Sequence, residues 1–261
     1  MLRNIYVYIK YITIGSDELN IIKQNLDKEV NLFIPDDIEE IDFEDSLVIT
    51  DVPEDEFKMQ AEACGKDSCE VKAAGFNTKP GEGYSYVCQT LDMGISYYRL
   101  VYARLTGEPF VVAETKNLLI REMTTKDCRY IEQLYDYDKE LEFTKNYIKN
   151  MYGFFEYGLW LVFEKKSGEL IGRAGIENRE IDGVTCCEIG YLIRRDMQHK
   201  GYAYEACQAI LEYASDELGI QEMFAVIDKT NEPSRKLAQK LGFELYAQTD
   251  GGPDLYKFVF G

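Results

Sequence analysis

The residues that best suit ligand chemistry form a short turn, residues 198–205. It lies between an apolar segment typical of a strand and an amphipathic segment typical of a helix. At such a turn several backbone N–H groups converge, and the start of the helix adds its partial positive charge. Gly201 permits a backbone conformation, or a close backbone approach, that a side chain would block. The turn therefore predicts an anion site suited to a pyrophosphate, with a plain glycine turn as the alternative.

Metal and covalent chemistry are disfavoured by the sequence. The single histidine, His199, lies in the turn itself, and none of the seven cysteines forms a Cys-x-x-Cys pair. Zinc sites are built mainly from such residues, so we expect no metal. A cysteine–histidine nucleophile would need the histidine that the turn already uses. We interpret the cysteines as reduced thiols in the core.

The composition indicates a soluble protein of the cytoplasm. The 261 residues carry a net charge of −18, which disfavours binding to nucleic-acid backbones and would attract a cationic partner such as an amine. No apolar run is long enough to span a bilayer, and residues 1–15 alternate like a strand without the continuous apolar core of a signal peptide. The sequence leaves the oligomeric state open, and a homodimer is among the assemblies it allows.

A domain boundary is predicted at Thr106–Pro109, where a helical pattern ends in a glycine–proline break. In residues 1–109 strand-like runs alternate with helical ones, which predicts a small α/β domain with a parallel sheet. The strand-like runs are 5–14, 30–34, 47–50 and 84–89, and the helical runs are 16–26, 54–64 and 91–105.

Residues 110–261 show a different order of elements, which predicts a mixed α/β (α+β) fold. Hairpin signals at Lys166–Gly168 and at Asp182-Gly183 join three apolar strands. The first helix is expected to begin near Asp127, with Thr124 or Thr125 as its cap. Strands are expected at 117–122, 159–163, 170–177, 186–193, 223–227, 243–247 and 255–260, and further helices at 141–151, 203–218 and 233–241.

Three motifs in this second part resemble the Gcn5-related N-acetyltransferase (GNAT) family, and more narrowly the branch that contains the ribosomal-protein N-terminal acetyltransferases. They are Glu188-Ile-Gly-Tyr-Leu-Ile193, Gln198-x-x-Gly201-Tyr-Ala-Tyr-Glu205-Ala206 and Asn231-x-x-Ser234-x-x-Leu-x-x-Lys240-Leu-Gly-Phe243. Together and in this order they are far more specific than the turn alone. The resemblance covers about residues 117–261 and implies a central sheet that splays between two parallel strands, here 186–193 and 223–227.

The resemblance also implies where acetyl-CoA binds. Strand backbone would pair with the pantetheine amides, the turn would hold the pyrophosphate, and the start of the last helix would contact the pantetheine arm. The residues expected to bind the cofactor are Tyr191, Leu192, Ile193, Gln198, His199, Lys200, Gly201, Tyr202, Ala203, Tyr204, Asn231 and Ser234. A basic patch of Arg194, Arg195, His199 and Lys200 is interpreted as steering the CoA phosphates, with a solvated basic loop as the alternative.

Acetyl transfer to an amine needs a base for the amine and a proton for the leaving thiolate. The resemblance implies Glu188 as the base, acting through a water, while a solvent-facing or paired strand glutamate is the alternative and Glu177 a weaker rival. Many members of the family place a tyrosine seven residues after the asparagine as the acid. Here that position is Ala238, so Ser234 is the implied donor, although a serine near a helix start is also expected as a cap.

The acceptor pocket is expected to draw on the first two helices of the second domain and on the loop after them. Some of its aromatic candidates must belong to the core. The candidates are Tyr135, Tyr137, Glu140, Phe154, Phe155 and Trp160.

The first domain carries one weaker resemblance. Residues 47–51 resemble a strand of haloacid-dehalogenase-like folds, but Asp51 is followed by Val52 and Pro53 and the Asp-x-Asp pattern of those phosphohydrolases is absent. We therefore expect no phosphatase activity from this domain. We expect it to act in substrate control or in dimerisation.

The sequence as a whole predicts a two-domain, acetyl-CoA-dependent N-acetyltransferase. It would act by direct attack of a primary amine, on a small molecule or at a protein N-terminus. The alternative is a non-catalytic acyl-CoA-binding or sensing module whose first domain contacts a partner, and Ala238 keeps that alternative open.

Overall fold

The chain divides into two compact units, Met1–Phe110 and Val111–Gly261, in a computed structural model. The structure describes residues 1–26, 28–67, 70–78, 83–127, 145–181, 183–248 and 251–261. Each unit is built on its own sheet, one parallel and one mixed. No helix within these ranges is long and apolar enough to cross a membrane.

The first unit is a five-stranded sheet in the order β2-β1-β3-β4-β5, and every neighbouring pair is parallel, as the sequence predicts. Alternate residues of β1 enter two separate cores, because a parallel sheet is covered on both faces. The strands are β1 (Asn4–Tyr8), β2 (Asn31–Phe33), β3 (Ser46–Thr50), β4 (Ala73–Phe76) and β5 (Val87–Cys88), and the helices are α1 (Ser16–Asn25), α2 (Glu54–Ala63) and α3 (Ile95–Thr106).

Strand β1 ends at Tyr8, so the strand predicted as far as Ile14 is wrong beyond that residue. The backbone N–H groups of residues 10, 11 and 12 each donate to the carboxylate of Asp51, at 2.7 Å. Asp51 is buried at the end of β3. Because this carboxylate satisfies the donors, the chain leaves the sheet without losing hydrogen bonds. Asp51 therefore anchors a loop of the first unit.

The second unit is an eight-stranded mixed sheet in the order β12-β13-β11-β10-β9-β8-β7-β6. Its one parallel pair within the described residues is β10–β11, and the remaining pairs are antiparallel. The strands are β6 (Val111–Glu114), β7 (Leu118–Arg121), β8 (Leu159–Glu164), β9 (Leu170–Ile181), β10 (Val184–Ile193), β11 (Glu222–Ile227), β12 (Glu244–Ala247) and β13 (Asp254–Val259), and the helices are α4 (Tyr202–Asp216) and α5 (Glu232–Leu241).

Both predicted hairpins are confirmed, since β8, β9 and β10 pair antiparallel in sequence order. The segment before β8 differs from prediction, because residues Ile148–Phe155 form a π-helix. Thr124 stands directly before a 3₁₀ turn, Thr125–Asp127, and Asp127 accepts hydrogen bonds from the N–H and the hydroxyl of Thr124, at 2.8 Å each. The residues after Asp127, where the predicted helix would run, lie outside the described residues. Burial alone would raise the pKa of Asp127, but these bonds and those from Arg121 outweigh it and hold the pKa below its ordinary value.

Candidate functional site

A cleft of about 320 Å³ opens where β10 and β11 separate. The two strands pair at Glu188 and Phe224, and beyond that pair their edges diverge. Residues 188–192 and 225–228 line the cleft, together with Asn231 and Ser234 from the start of α5. An open strand edge presents N–H and C=O groups that can pair with an extended amide chain.

The predicted anion turn lies at the N-terminus of α4 and contains two left-handed residues, His199 with φ of 62° and Gly201 with φ of 86°. Residues in this conformation turn successive N–H groups toward one side of the chain. A Cβ added at Gly201 would meet nothing within 4 Å. Glycine is therefore favoured at 201 by its backbone conformation and not by a close approach.

Two side chains fix this turn relative to the sheet. The Gln198 amide donates to the carbonyl of Ile193 at 2.9 Å, at the end of β10. The Glu205 carboxylate accepts from the Thr115 hydroxyl at 2.6 Å, and from the N–H and the side-chain amide of Asn117 at 2.8 and 2.9 Å. Glu205 therefore ties the first turn of α4 to the β6–β7 connection. Its sequence position, on the polar face of a helix, gave no sign of this partner.

We expect Glu205→Gln to lower the free energy of unfolding by about 1 kcal/mol at pH 7, because a neutral amide accepts these hydrogen bonds less well. Burial would raise the pKa of Glu205, but the hydrogen bonds from Asn117 and Thr115 outweigh it and lower the pKa. The stabilisation is thus present above the unfolded pKa of about 4.3 and is lost as the pH falls through the lower folded value. Urea unfolding of both proteins from pH 7 to pH 3 measures this, and a pH-independent difference would contradict it.

Arg194 does not belong to the predicted steering patch. Its guanidinium contacts the carboxylate of Glu169 at 2.9 Å and that of Asp196 at 2.7 Å. The hydrogen bonds that Arg194 donates to Asp196 and Glu169 raise the pKa of Arg194, and its charge is balanced locally. The residues of that patch left for an anion at the turn are Arg195, His199 and Lys200, so the sequence overcounted the patch by one.

Two carboxylates line the cleft, from Glu177 on β9 and Glu188 on β10. The residues are directly opposite in the antiparallel register, so their side chains share one face of the sheet. Arg179, two residues beyond Glu177, donates to Oε2 of Glu188 at 2.9 Å. The paired-glutamate alternative therefore describes Glu188.

A family model described as "Acetyltransferase (GNAT) domain" matches residues 104–244, which is more than half of the chain. The chain belongs to this family. It is 38% identical over 91 residues to "Uncharacterized protein YkkB" of Bacillus subtilis, covering 35% of this chain and 52% of that protein. It is 30% identical over 140 residues to "Uncharacterized N-acetyltransferase YnaD" of the same species, covering 49% and 79%.

The first of these relatives is matched over about half its length. Among solved structures, a "putative ribosomal-protein-serine acetyltransferase from Vibrio cholerae" is 19% identical, covers 57% of this chain and 97% of its own, and has a TM-score of 0.45. The match to the family model confirms the sequence resemblance to GNAT acetyltransferases at the level of the family.

The GNAT cleft contains only part of the predicted cofactor set. Tyr191, Leu192, Asn231 and Ser234 line it, whereas Ile193 is buried at the end of β10. The remaining predicted residues, 198–204, form the turn and the first residues of α4 beyond that end of the strand. Along the chain, the predicted residues thus run from the open edge of β10 to the turn before α4, so one extended ligand could contact both.

The start of α5 is capped by Asn231 and not by Ser234. Oδ1 of Asn231 accepts from the N–H of Ser234 at 3.2 Å. The hydroxyl of Tyr191 donates to the backbone carbonyl of Ser234 at 3.5 Å, and burial raises the pKa of Tyr191 to about 12. The sequence left two roles open for Ser234, a helix cap or a proton donor. Because Asn231 is the cap, the cap role does not apply to Ser234.

Trp160 is a core residue, so its prediction as part of the acceptor pocket is wrong. It is fully buried, and its ring lies perpendicular to that of Tyr213 on α4 at 5.5 Å between centroids. Phe154 and Phe155 are exposed at the end of the π-helix, and their ring centroids are 4.9 Å apart. The candidates Tyr135, Tyr137 and Glu140 lie outside the described residues.

The buried Arg173 and the half-buried Tyr147 lie side by side at the cleft. Arg173 lines the cleft, with its guanidinium carbon 5.6 Å from the ring centroid of Tyr147. The phenol oxygen of Tyr147 accepts from the N–H of Leu159 at 2.7 Å. Burial raises the pKa of Tyr147, and the nearby charge of Glu177 adds to the rise. Tyr147 is therefore a neutral phenol next to the carboxylates at neutral pH.

Proposed function

We propose that the protein transfers the acetyl group of acetyl-CoA to a primary amine by direct attack of the amine on the thioester. The amine belongs to a small molecule or to a protein N-terminus. The observation that carries the proposal is the juxtaposition, in a GNAT domain, of an open β10–β11 edge with carboxylates at its closed end. The family accounts for the acetyl donor, and the carboxylates favour a cationic acceptor.

Each part of the site has a role in this reaction. The strand edge at Tyr191–Ile193 would pair with the pantetheine amides, and the turn at 198–204 would hold the pyrophosphate on its N–H groups. The amine approaches the carbonyl carbon from the side of Glu177 and Glu188. The new C–N bond forms, the C–S bond breaks, a cleft carboxylate takes a proton from the amine, and the CoA thiolate gains one.

Ser234 is the proposed donor of the thiolate proton, because it lines the cleft where the strands open and the family's tyrosine position is occupied by Ala238. A hydroxyl that gives up its proton must regain one, and the proton taken from the amine restores it. Thus no net proton is consumed when a neutral amine is acetylated. General acid catalysis of this kind contributes about 10²-fold or more to rate.

A second candidate function is binding of an acyl-CoA without turnover. It is favoured by Ala238, which is buried in α5 and supplies no acid. Titration calorimetry with acetyl-CoA, together with release of free CoA in the presence of an amine panel, separates the two. The panel contains an alkyl diamine, amino-acid amides and short peptides with free N-termini. CoA release supports the enzyme, tight binding without release for any amine supports the binding module, and no binding contradicts both.

We expect Ser234→Ala to lower kcat about 10²-fold while leaving the Kd for acetyl-CoA nearly unchanged, because only protonation of the thiolate is lost. The measurement is CoA release with the best amine of the panel. Ser215→Ala, on α4 and away from the residues lining the cleft, is the matched control and should keep full activity. A Ser234→Ala enzyme with unchanged kcat would show that the donor is another group.

A further inference from the structure

We propose that Leu159 limits the length of the acyl group that the cleft accepts, so that the protein uses acetyl-CoA and discriminates against acyl-CoA with a longer chain. The inference rests on the proposed function, because it concerns the donor of the same transfer. It depends on three observations: a row of residues across three strands, two phenols that hold the backbone of Leu159, and the closed walls at the end of the cleft.

The side chain of Leu159 extends over the two neighbouring strands because both have a glycine beside it. Leu159 is opposite Gly175, and Gly175 is opposite Gly190, so the three residues form one row across β8, β9 and β10. Leu159 lines the cleft, and its Cδ2 is 3.0 Å from the position that a Cβ on Gly190 would take. The two glycines thus let a side chain from β8 form part of the cleft between β10 and β11.

The backbone of Leu159 is held by two tyrosines from the segment before β8. The hydroxyl of Tyr152 donates to the carbonyl of Leu159 at 2.5 Å, and the phenol oxygen of Tyr147 accepts from the N–H of Leu159 at 2.7 Å. Tyr152 is buried within the π-helix, and Tyr147 directly precedes that helix. The start of β8 therefore cannot move away from the cleft without losing both hydrogen bonds.

The end of the cleft is closed in the plane of the sheet and on one of its faces. A pantetheine arm that runs from the turn along the open edge of β10 brings its acyl group to the level of Gly190. In the plane, the pair of Glu188 with Phe224 joins β10 to β11 and closes the gap. Side chains alternate between the two faces of a sheet, and those that point to one face here are buried in the core: Ile189, Ala225 and Ile227. A longer acyl chain must therefore extend over the other face, where Leu159 lies.

A longer acyl chain competes with the side chain of Leu159 for the same space. Propionyl adds one carbon to the acetyl group, and a small shift of the leucine side chain accommodates it. Butyryl adds two carbons, and these reach the place that the leucine side chain fills. Forcing extra methylenes into a filled site costs free energy, so the longer donor is bound or oriented poorly. Leu159→Ala shortens this wall and makes the missing room.

The test uses the whole chain and the amine of the panel that releases CoA fastest, and it compares kcat/KM for acetyl-CoA, propionyl-CoA and butyryl-CoA. In the wild type we expect kcat/KM to be about fivefold lower with propionyl-CoA than with acetyl-CoA, and about 50-fold lower with butyryl-CoA. Leu159→Ala should raise the ratio of kcat/KM for butyryl-CoA to that for acetyl-CoA about tenfold or more. Because the ratio compares two donors in one protein, a smaller folded fraction of the variant does not change it.

Two control variants separate the volume of this side chain from other effects. Leu159→Met, which nearly conserves the volume, should keep the wild-type ratio within about threefold. Leu119→Ala, which truncates a half-buried leucine on β7 away from the cleft, should keep it as well. An unchanged ratio in Leu159→Ala overturns the inference, and so does a wild type that uses butyryl-CoA as well as acetyl-CoA. If acetyl-CoA binds but no amine releases CoA, the proposed function is contradicted, and the ratio of the Kd values for the two donors then tests the inference by the same criteria.

Discussion

Gly175→Ala is expected to lower the free energy of unfolding of the second unit by about 3 kcal/mol, the upper end for an overpacked site. A Cβ at Gly175 would lie 2.8 Å from Cα of Leu159 and 2.9 Å from the carbonyl carbon of Gly158, and closer still to the oxygen of that carbonyl. These are backbone atoms of the neighbouring strand, so no side-chain rotation relieves the contact. Strands β8 and β9 must separate at the floor of the cleft. The chain's one tryptophan, Trp160, lies opposite Ala174, so its fluorescence during urea unfolding reports on this place.

The matched control is Gly190→Ala, since Gly190 is directly opposite Gly175 in the β9–β10 register. A Cβ there would meet Cδ2 of Leu159 at 3.0 Å and Oε2 of Glu177 at 3.4 Å, which are ends of flexible side chains. Its cost should therefore be about 1 kcal/mol or less. An equal loss of unfolding free energy in the two variants would contradict the prediction. It would mean that the backbone of β8 at Gly158 moves away from the added Cβ at little cost.

The second unit was largely predictable because its signals are local. The turn residues at Lys166–Gly168 and at Gly183 each predict a hairpin. Together they predict β8, β9 and β10 without any information on contacts distant in sequence. The family resemblance predicted the splayed parallel pair and the turn before α4, and both are present. Short, small-residue strands such as β4 (Ala73–Phe76) were missed, because their hydrophobic pattern is too brief to stand out.

Three further features that the sequence did not predict depend on distant partners. Asp51 ends β1 by binding the N–H groups of a loop some 40 residues earlier in the chain, and Glu205 binds a connection about 90 residues away. Arg179 and Glu188 are separated by a hairpin whose register decides that they meet. The site was affected in the same way: the sequence located the carboxylates, but only the register shows which one Arg179 contacts.

Gly201→Glu is expected to raise the Kd for acetyl-CoA about 100-fold, equivalent to about 2.7 kcal/mol. The backbone of Gly201 is left-handed, which costs an ordinary residue about 1–2 kcal/mol and would move the turn out of its N–H-presenting conformation. The carboxylate adds repulsion of the pyrophosphate at the N-terminus of α4. Because a Cβ at this position would point into open space, the fold should persist. Calorimetric titration with acetyl-CoA gives the affinity, and circular dichroism confirms the fold.

Three substitutions at Gly201 separate conformation from charge. Gly201→Asn should bind within a few-fold of wild type, because asparagine tolerates the left-handed region. Gly201→Gln carries the strain without the charge and should weaken binding about tenfold. The further tenfold loss in Gly201→Glu is electrostatic, so it should shrink as the ionic strength is raised. If Gly201→Glu binds acetyl-CoA as tightly as wild type, the pyrophosphate does not bind at this turn, and the phosphates must be held by another part of the unit.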